Sequence, residues 1–441
     1  MRPTFPERFN LADYYLFDRL NEGLADKDAI RFGDRRFSYG RVADQTRRFA
    51  GLLMAADVRR GERVLIVLPD TPAFAWVFFG TLARGAVVAM GNPDAPFESL
   101  ATLVRYTRAT AIVTVPKVAE PLAQAFAAEP AAYEEVRTVL VVADVPTGGD
   151  CEGAVSVPDA PRFGALAPAL AKAEPLAPAR TPVVHRDEPA IWLFTSGSTG
   201  EPKANVHAHR DFAYNTEVYA KRTVGYRQSD VTVSVPRTSS SGTRPARTSC
   251  SFRGQRHGRS LQRASDAGVA RRGDADVQAH RRHQRADPCS GNARVRRRGP
   301  RARLKQGSIS PASASRSRRA RRSRARSSHA GWSASGAGLR RHRLRRGRYH
   351  ICASNRPGEV VPGSLGRPVE GYELRVLPER RGPGATPCAP GGIGVLWVRG
   401  DSASMGYWLD RGKSFHAPSS AEWCRTGDLF SIDDRGYLYC R

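Results

Sequence analysis

Residues 190–203 read AIWLFTSGSTGEPK: an apolar run that breaks abruptly into small hydroxylated residues and closes on Pro-Lys. Ala190 to Thr195 suits a strand buried on both faces. The residues at its exit have a different chemistry. Gly197 and Gly200 let the backbone turn tightly and present N–H groups to an anion. The hydroxyls of Thr195, Ser196, Ser198 and Thr199 add donors, and Lys203 adds a cation that can reach phosphate oxygens. The spacing is not that of the Walker loop, which needs Gly-Lys followed by Ser or Thr. A flexible Gly/Ser linker ending in a solvated lysine has a similar composition. Position after a buried strand, two hydroxyl pairs and the trailing Pro-Lys favour phosphate binding.

Outward from this stretch, the chain alternates strand and helix patterns. RVADQTRRFAGLLMAA (41–56) places Val42, Phe49, Leu52 and Leu53 near one helical face. RVLIVLP (63–69) predicts a buried strand, and Thr71-Pro72 an N-cap and first-turn proline for a helix through Leu82. AVVAM (86–90), TAIVTV (110–115) and TVLVVA (138–143) predict further strands, with helical VAEPLAQAFAA between the last two. This alternation predicts an α/β fold with a parallel, helix-covered sheet. Residues 144–186, rich in Pro, Ala and Gly, read as surface loop. Near the C-terminus, GYELRVLP and GVLWVRG predict strands of a smaller β-rich unit. GDLFSIDDRGYLYC predicts a hairpin turning at Asp433-Asp434-Arg435-Gly436.

The net charge of +28 and pI near 10.7 suggest a polyanion binder, but the average hides a boundary. Residues 237–348 carry 31 Arg and one Lys against four Asp and no Glu, which is the whole excess. The other 329 residues hold 38 basic and 38 acidic side chains. The same block has only ten Leu, Ile, Val, Met, Phe, Trp and Tyr, too few to offset chain entropy, so disorder is expected there. Seven scattered cysteines without a CxxC pair read as free thiols in a reducing compartment, with no zinc site. The N-terminus has no signal-peptide pattern and no apolar run is long enough to span a bilayer, so a cytoplasmic protein with no membrane partner is expected.

The TSGSTGEPK loop resembles the signature of the acyl-adenylate-forming (AMP-binding) superfamily, which includes acyl-CoA synthetases, luciferases and peptide-synthetase adenylation domains. FNLADYYLFDRLNEG, RVLIVLPDTPAFAWVFFGTLARGAVVAMGNPD, VYAKRTVGYRQSDVTVSVPRT and SNRPGEVVPGSLGRPVEGYELRV resemble aryl-CoA ligases of the benzoate-CoA ligase type. The resemblance covers about residues 8–236 and 349–441. It implies an acyl-CoA synthetase-like N-terminal domain in two pieces, 1–236 and 349–441, around the Arg-rich 237–348. One departure lies in the loop: the family usually has Gly after Pro-Lys, and this chain has Ala204. By resemblance, Asp428 in WCRTGDL accepts hydrogen bonds from the ATP ribose hydroxyls. The implied substrates are a small aromatic carboxylic acid, ATP and coenzyme A, with Mg²⁺ on the phosphates and no protein metal site. The reaction forms an acyl-adenylate and then the thioester; the carboxylate is itself the nucleophile and needs no general base.

In the family, the segment following VSVPRT carries the acid pocket and an adenine- and magnesium-binding motif close to DGIGS(A/T)E. Here LRRHRLRRG (339–347) stands in that place. Written in GC-rich codons and read one base later, it becomes SDGIGSAE. SSSGTRPARTSCS (239–251) can likewise be written so that a neighbouring frame reads FVFGYATGTNLLF. The expectation is that about 237–348 is frameshifted, that the chain stops before the family's mobile C-terminal domain, and that activity is lost or impaired. No catalytic side chain is then assigned. The alternatives are a non-catalytic nucleotide-binding remnant and an Arg-rich nucleic-acid binder. The second has almost no stacking aromatics in its block, only Phe252 and Trp332, so specific nucleic-acid binding is not expected. Which acid is used and the oligomeric state are not legible.

Overall fold

The computed structural model describes residues 2–145, 148–196, 202–228, 230–234, 257–260, 343–346, 350–382, 384–409 and 423–441. In chain order, a π-helical turn Asp13–Phe17 runs into α1 (Asp18–Asn21), then the hairpin β1 (Asp28–Phe32) and β2 (Arg35–Ser38). Next come α2 (Tyr39–Ala55), β3 (Arg63–Ile66), α3 (Pro72–Ala83), β4 (Val87–Met90), α4 (Phe97–Thr107), β5 (Ala109–Thr114), α5 (Pro116–Ala128) and β6 (Thr138–Val141). β7 (Phe163–Ala165) and α6 (Leu166–Lys172) precede β8 (Pro189–Ser196), β9 (Pro202–Ala208), α7 (His209–Asn215) and a second π-helical turn, Thr216–Thr223. β10 (Val231–Ser234), β11 (His257–Ser260), β12 (Arg343–Arg346), β13 (His350–Ser354) and β14 (Arg367–Pro368) follow. Last are β15 (Tyr372–Leu377), β16 (Gly394–Gly400), β17 (Gly406–Tyr407), β18 (Cys424–Ile432) and β19 (Leu438–Cys440).

The large sheet has the order β17-β9-β8-β4-β3-β5-β6-β7. From β8 to β7 every neighbouring pair is parallel, as the strand–helix alternation predicts. The other end departs from a purely parallel sheet: β9 returns antiparallel to β8, and β17 pairs antiparallel with β9. The reason is local, because a five-residue loop can join only antiparallel neighbours.

The helices form where sequence and burial agree. The Ser38 side chain accepts the Arg41 N–H at 3.2 Å to cap α2, whose Val42, Phe49 and Leu53 are fully or almost fully buried. Pro72 opens α3, and all twelve of its residues are buried, as an all-round apolar helix requires. Residues 144–186 are not all loop: β7 and α6 lie within them, with Leu166 and Leu170 buried one turn apart.

The β-rich part has the sheet β15-β16-β18-β19, all antiparallel, with the β18–β19 turn at residues 433–436 as expected. The segment after β9 crosses into this part. Tyr214, Val218 and Tyr219 pack with Ile351, Val369, Tyr372 and Leu396 in one buried cluster. The Asn215 side-chain amide donates to the Ile351 carbonyl at 3.1 Å and to the Tyr372 hydroxyl at 3.4 Å. The two flanks of the Arg-rich block therefore share a core.

Of residues 237–348 only β11 and β12 are described; β11 lies parallel to β1 and β10, and β12 antiparallel to β13. The rest of that block, where disorder is expected, lies outside the described residues. Cys151, Cys352, Cys388 and Cys424 are free thiols as expected, whereas Cys440 is disulfide-bonded. Among the described residues, no helix is long and apolar enough to cross a membrane.

Candidate functional site: the β8–β9 hairpin

Thr195 pairs with Lys203 and Ser196 with Pro202 in the β8–β9 register. The Gly-rich sequence thus follows directly on the carboxyl end of β8, a buried strand, where open α/β sheets place ligands. The backbones of Thr195 and Ser196 end β8; Gly197, Ser198, Thr199 and Gly200 lie outside the described residues. Lys203, half-buried, begins the return strand.

Ala204 is fully buried, and its methyl group packs in a cluster with Val87 and Trp192. Its carbonyl accepts the Trp408 N–H at 3.0 Å, and its N–H points to the Tyr106 hydroxyl at 3.4 Å. Trp408 packs on Trp192 with ring centroids 4.8 Å apart. Sequence reading did not single out Tyr106 or Trp408. The only signal was the aromatic content of AIWLF and GYW.

Beyond Ala204, β9 carries polar residues into the core. Asn205 and His207 are fully buried. His207 Nδ1 lies 3.1 Å from Asp211 Oδ2, and the same oxygen accepts the Ala208 N–H at 3.0 Å. Burial raises the Asp211 pKa, opposed by those two contacts. His209, also buried, accepts the Leu11 N–H on Nδ1 at 3.1 Å, and burial lowers its pKa to about 4. These groups fix the return strand and the start of α7, and they tie the hairpin to the N-terminal segment.

Asp428 sits in the middle of β18, half-buried, after Gly427 at φ +80°. Its N–H donates to Thr426 Oγ1 at 3.1 Å, closing a local turn. β18 pairs with β16, and the chain leaving β16 reaches the β9 edge at residues 405–408. The hairpin and the Asp428 strand thus belong to different sheets, which the 401–405 segment links directly. Among the described residues, no group of three His, Cys, Asp or Glu side chains could hold a metal ion.

A family model described as AMP-binding enzyme matches residues 17–238. The match ends two residues past the compositional boundary at 236. The chain is 26% identical to a benzoate–CoA ligase of Thauera aromatica, the alignment covering 98% of the chain and 76% of that protein. It is 27% identical to a 4-hydroxybenzoate–CoA/benzoate–CoA ligase of Rhodopseudomonas palustris, over 98% of the chain and 74% of that protein. In fold it is similar to the crystal structure of the anthranilate CoA ligase AuaEII in complex with anthranoyl-AMP. That likeness has a TM-score of 0.73 at 20% identity, over 99% of this chain and 78% of that one.

Proposed function

The chain belongs to the AMP-binding enzyme family, and from that we propose that its β8–β9 hairpin binds the phosphates of ATP in a site built to activate an aromatic carboxylic acid. The carrying observation is the register that puts Thr195 opposite Lys203 at the exit of a buried strand. Backbone N–H groups and hydroxyls of residues 195–200 would cradle the phosphates, and Lys203 would neutralise their charge. Asp428 would accept the ribose hydroxyls. The activities named for the benzoate–CoA ligases support an aromatic acid as substrate and coenzyme A as acceptor.

In this reading the acid's carboxylate attacks the α-phosphorus, pyrophosphate leaves, and the coenzyme A thiolate then displaces AMP. No proton need be removed from the carboxylate. The protein contributes alignment and charge neutralisation. Mg²⁺ bound to the ATP phosphates would neutralise their charge.

A second reading, nucleotide binding without turnover, is favoured by the end of the family match at residue 238 and the Arg-rich composition that follows. We propose that residues 237–348 derive from a shifted frame and that adenylation is lost or impaired for that reason. Benzoate-dependent exchange of pyrophosphate into ATP, measured beside ATP binding by calorimetry, separates the readings. Binding with exchange supports the ligase, and binding without exchange supports the remnant. Absence of both from folded protein removes the assignment.

A further inference from the structure

We propose that the Tyr106 hydroxyl is a positioning group for Lys203, locking β9 and the 405–408 segment into one register; this rests on the reading of Lys203 as a phosphate ligand. Lys203 is followed directly by Ala204 on β9. β9 would be the edge of the large sheet were it not paired with β17, a strand of only two residues. β8 fixes β9 on its inner edge, but so short an outer partner holds the 405–408 segment only weakly against it.

Register is reinforced by a closed ring of three hydrogen bonds. Trp408 N–H donates to the Ala204 carbonyl at 3.0 Å, and the Tyr106 hydroxyl donates to the Trp408 carbonyl at 2.9 Å. The Tyr106 oxygen in turn accepts the Ala204 N–H at 3.4 Å. Met405 N–H adds a bond to the Val206 carbonyl at 2.8 Å.

Tyr106 is a fixed reference for this ring because it sits on a third element. α4 buries Leu100, Leu103 and Val104, and the Tyr106 ring meets Phe194 edge-on at 6.3 Å, with Phe194 opposite Ala204 in the register. The 405–408 segment leads from β16, the neighbour of the Asp428 strand. One hydroxyl therefore joins the strand that carries Lys203 to the connection from the sheet that carries Asp428. With the register set by β8, loss of this bond would loosen the outer edge of β9 at Ala204, the residue next to Lys203, while leaving the β18 aspartate in place.

Tyr106→Phe in the full chain removes the hydroxyl and keeps the ring. Amide hydrogen exchange should accelerate at Ala204 and Trp408. By calorimetry with Mg²⁺, ATP affinity should fall about tenfold, the size of one lost hydrogen bond, while AMP affinity, which does not depend on a β/γ-phosphate contact, changes less than twofold. Equal weakening of ATP and AMP would mean a merely structural tyrosine and would overturn the proposal. Unchanged exchange at both amides would overturn it whatever the nucleotides do. Lys203→Ala serves as the control: if that variant keeps the wild-type ratio of ATP to AMP affinity, the phosphate role of Lys203 fails. The exchange data still decide whether the hydroxyl locks the register.

Discussion

His209 shows how a single side chain sets a pH limit. It is buried on α7 as a neutral acceptor for Leu11 N–H, with its pKa lowered from 6.5 to about 4. Between those values the unfolded chain binds more protons than the folded one, so stability rises with pH through the window and is lost as pH falls. The loss is at most about 3 kcal/mol from this group by pH 4. Asp13 has the opposite sign: burial and Asp18 raise its pKa to about 6, so its contribution declines as pH rises from 4 to 6. Thermal melts from pH 7 to 4 should show a shallower decline for His209→Gln than for wild type; identical slopes would place the titration elsewhere. Asp428→Ala should weaken ATP and AMP by the same factor, about tenfold or more, because both carry the ribose. Calorimetry showing ATP alone affected would move the aspartate away from the ribose. At this scale the Gly, hydroxyl and Lys spacing of TSGSTGEPK could be read because it is local. Tyr106 was not, because its partners Ala204 and Trp408 lie 98 and 302 positions away.

Among the elements, the strands and helices with strong apolar patterning were readable: α2, α3, β3 to β6, β8 and the C-terminal hairpin all fall where expected. β9 was not anticipated, because PKANVHA puts Asn205 and His207 at buried positions that a hydrophobic pattern cannot reveal. They are tolerated because Asn205 donates to the Leu193 carbonyl at 3.3 Å and His207 meets Asp211. α6 was hidden by its Ala/Pro composition. Pro168 lies in its first turn, where no helical N–H is forfeited, so the helix survives. Gly51 gives a prediction with an unusual sign. In an exposed helix, Gly→Ala gains about 1 kcal/mol. In α2 a Cβ at Gly51 would lie 2.0 Å from the Glu174 carbonyl oxygen. Gly51→Ala should instead lose about 1–3 kcal/mol, from overpacking. Chemical denaturation measures this, and a stabilised variant would show that the 174–176 segment yields freely.

For the whole molecule, two flanks whose charges sum to zero share a core across a block that carries the entire +28. The block should make the protein hold heparin or DNA at low salt and release both as salt rises, since phosphate neutralisation by Arg is a counterion effect. Retention that persists in high salt would point instead to a built nucleic-acid site. Composition changes sharply after residue 236, and the family model matches residues 17–238. Substrate choice was not legible, because the segment expected to carry the pocket falls within 237–348, whose Arg-rich composition gives no pocket pattern to read. The most direct test of the account is titration of the full chain with ATP and Mg²⁺, repeated with Lys203→Ala. The account predicts a single site whose affinity drops about tenfold or more in the variant. A folded protein that binds no ATP, or one in which Lys203→Ala binds as tightly as wild type, contradicts it.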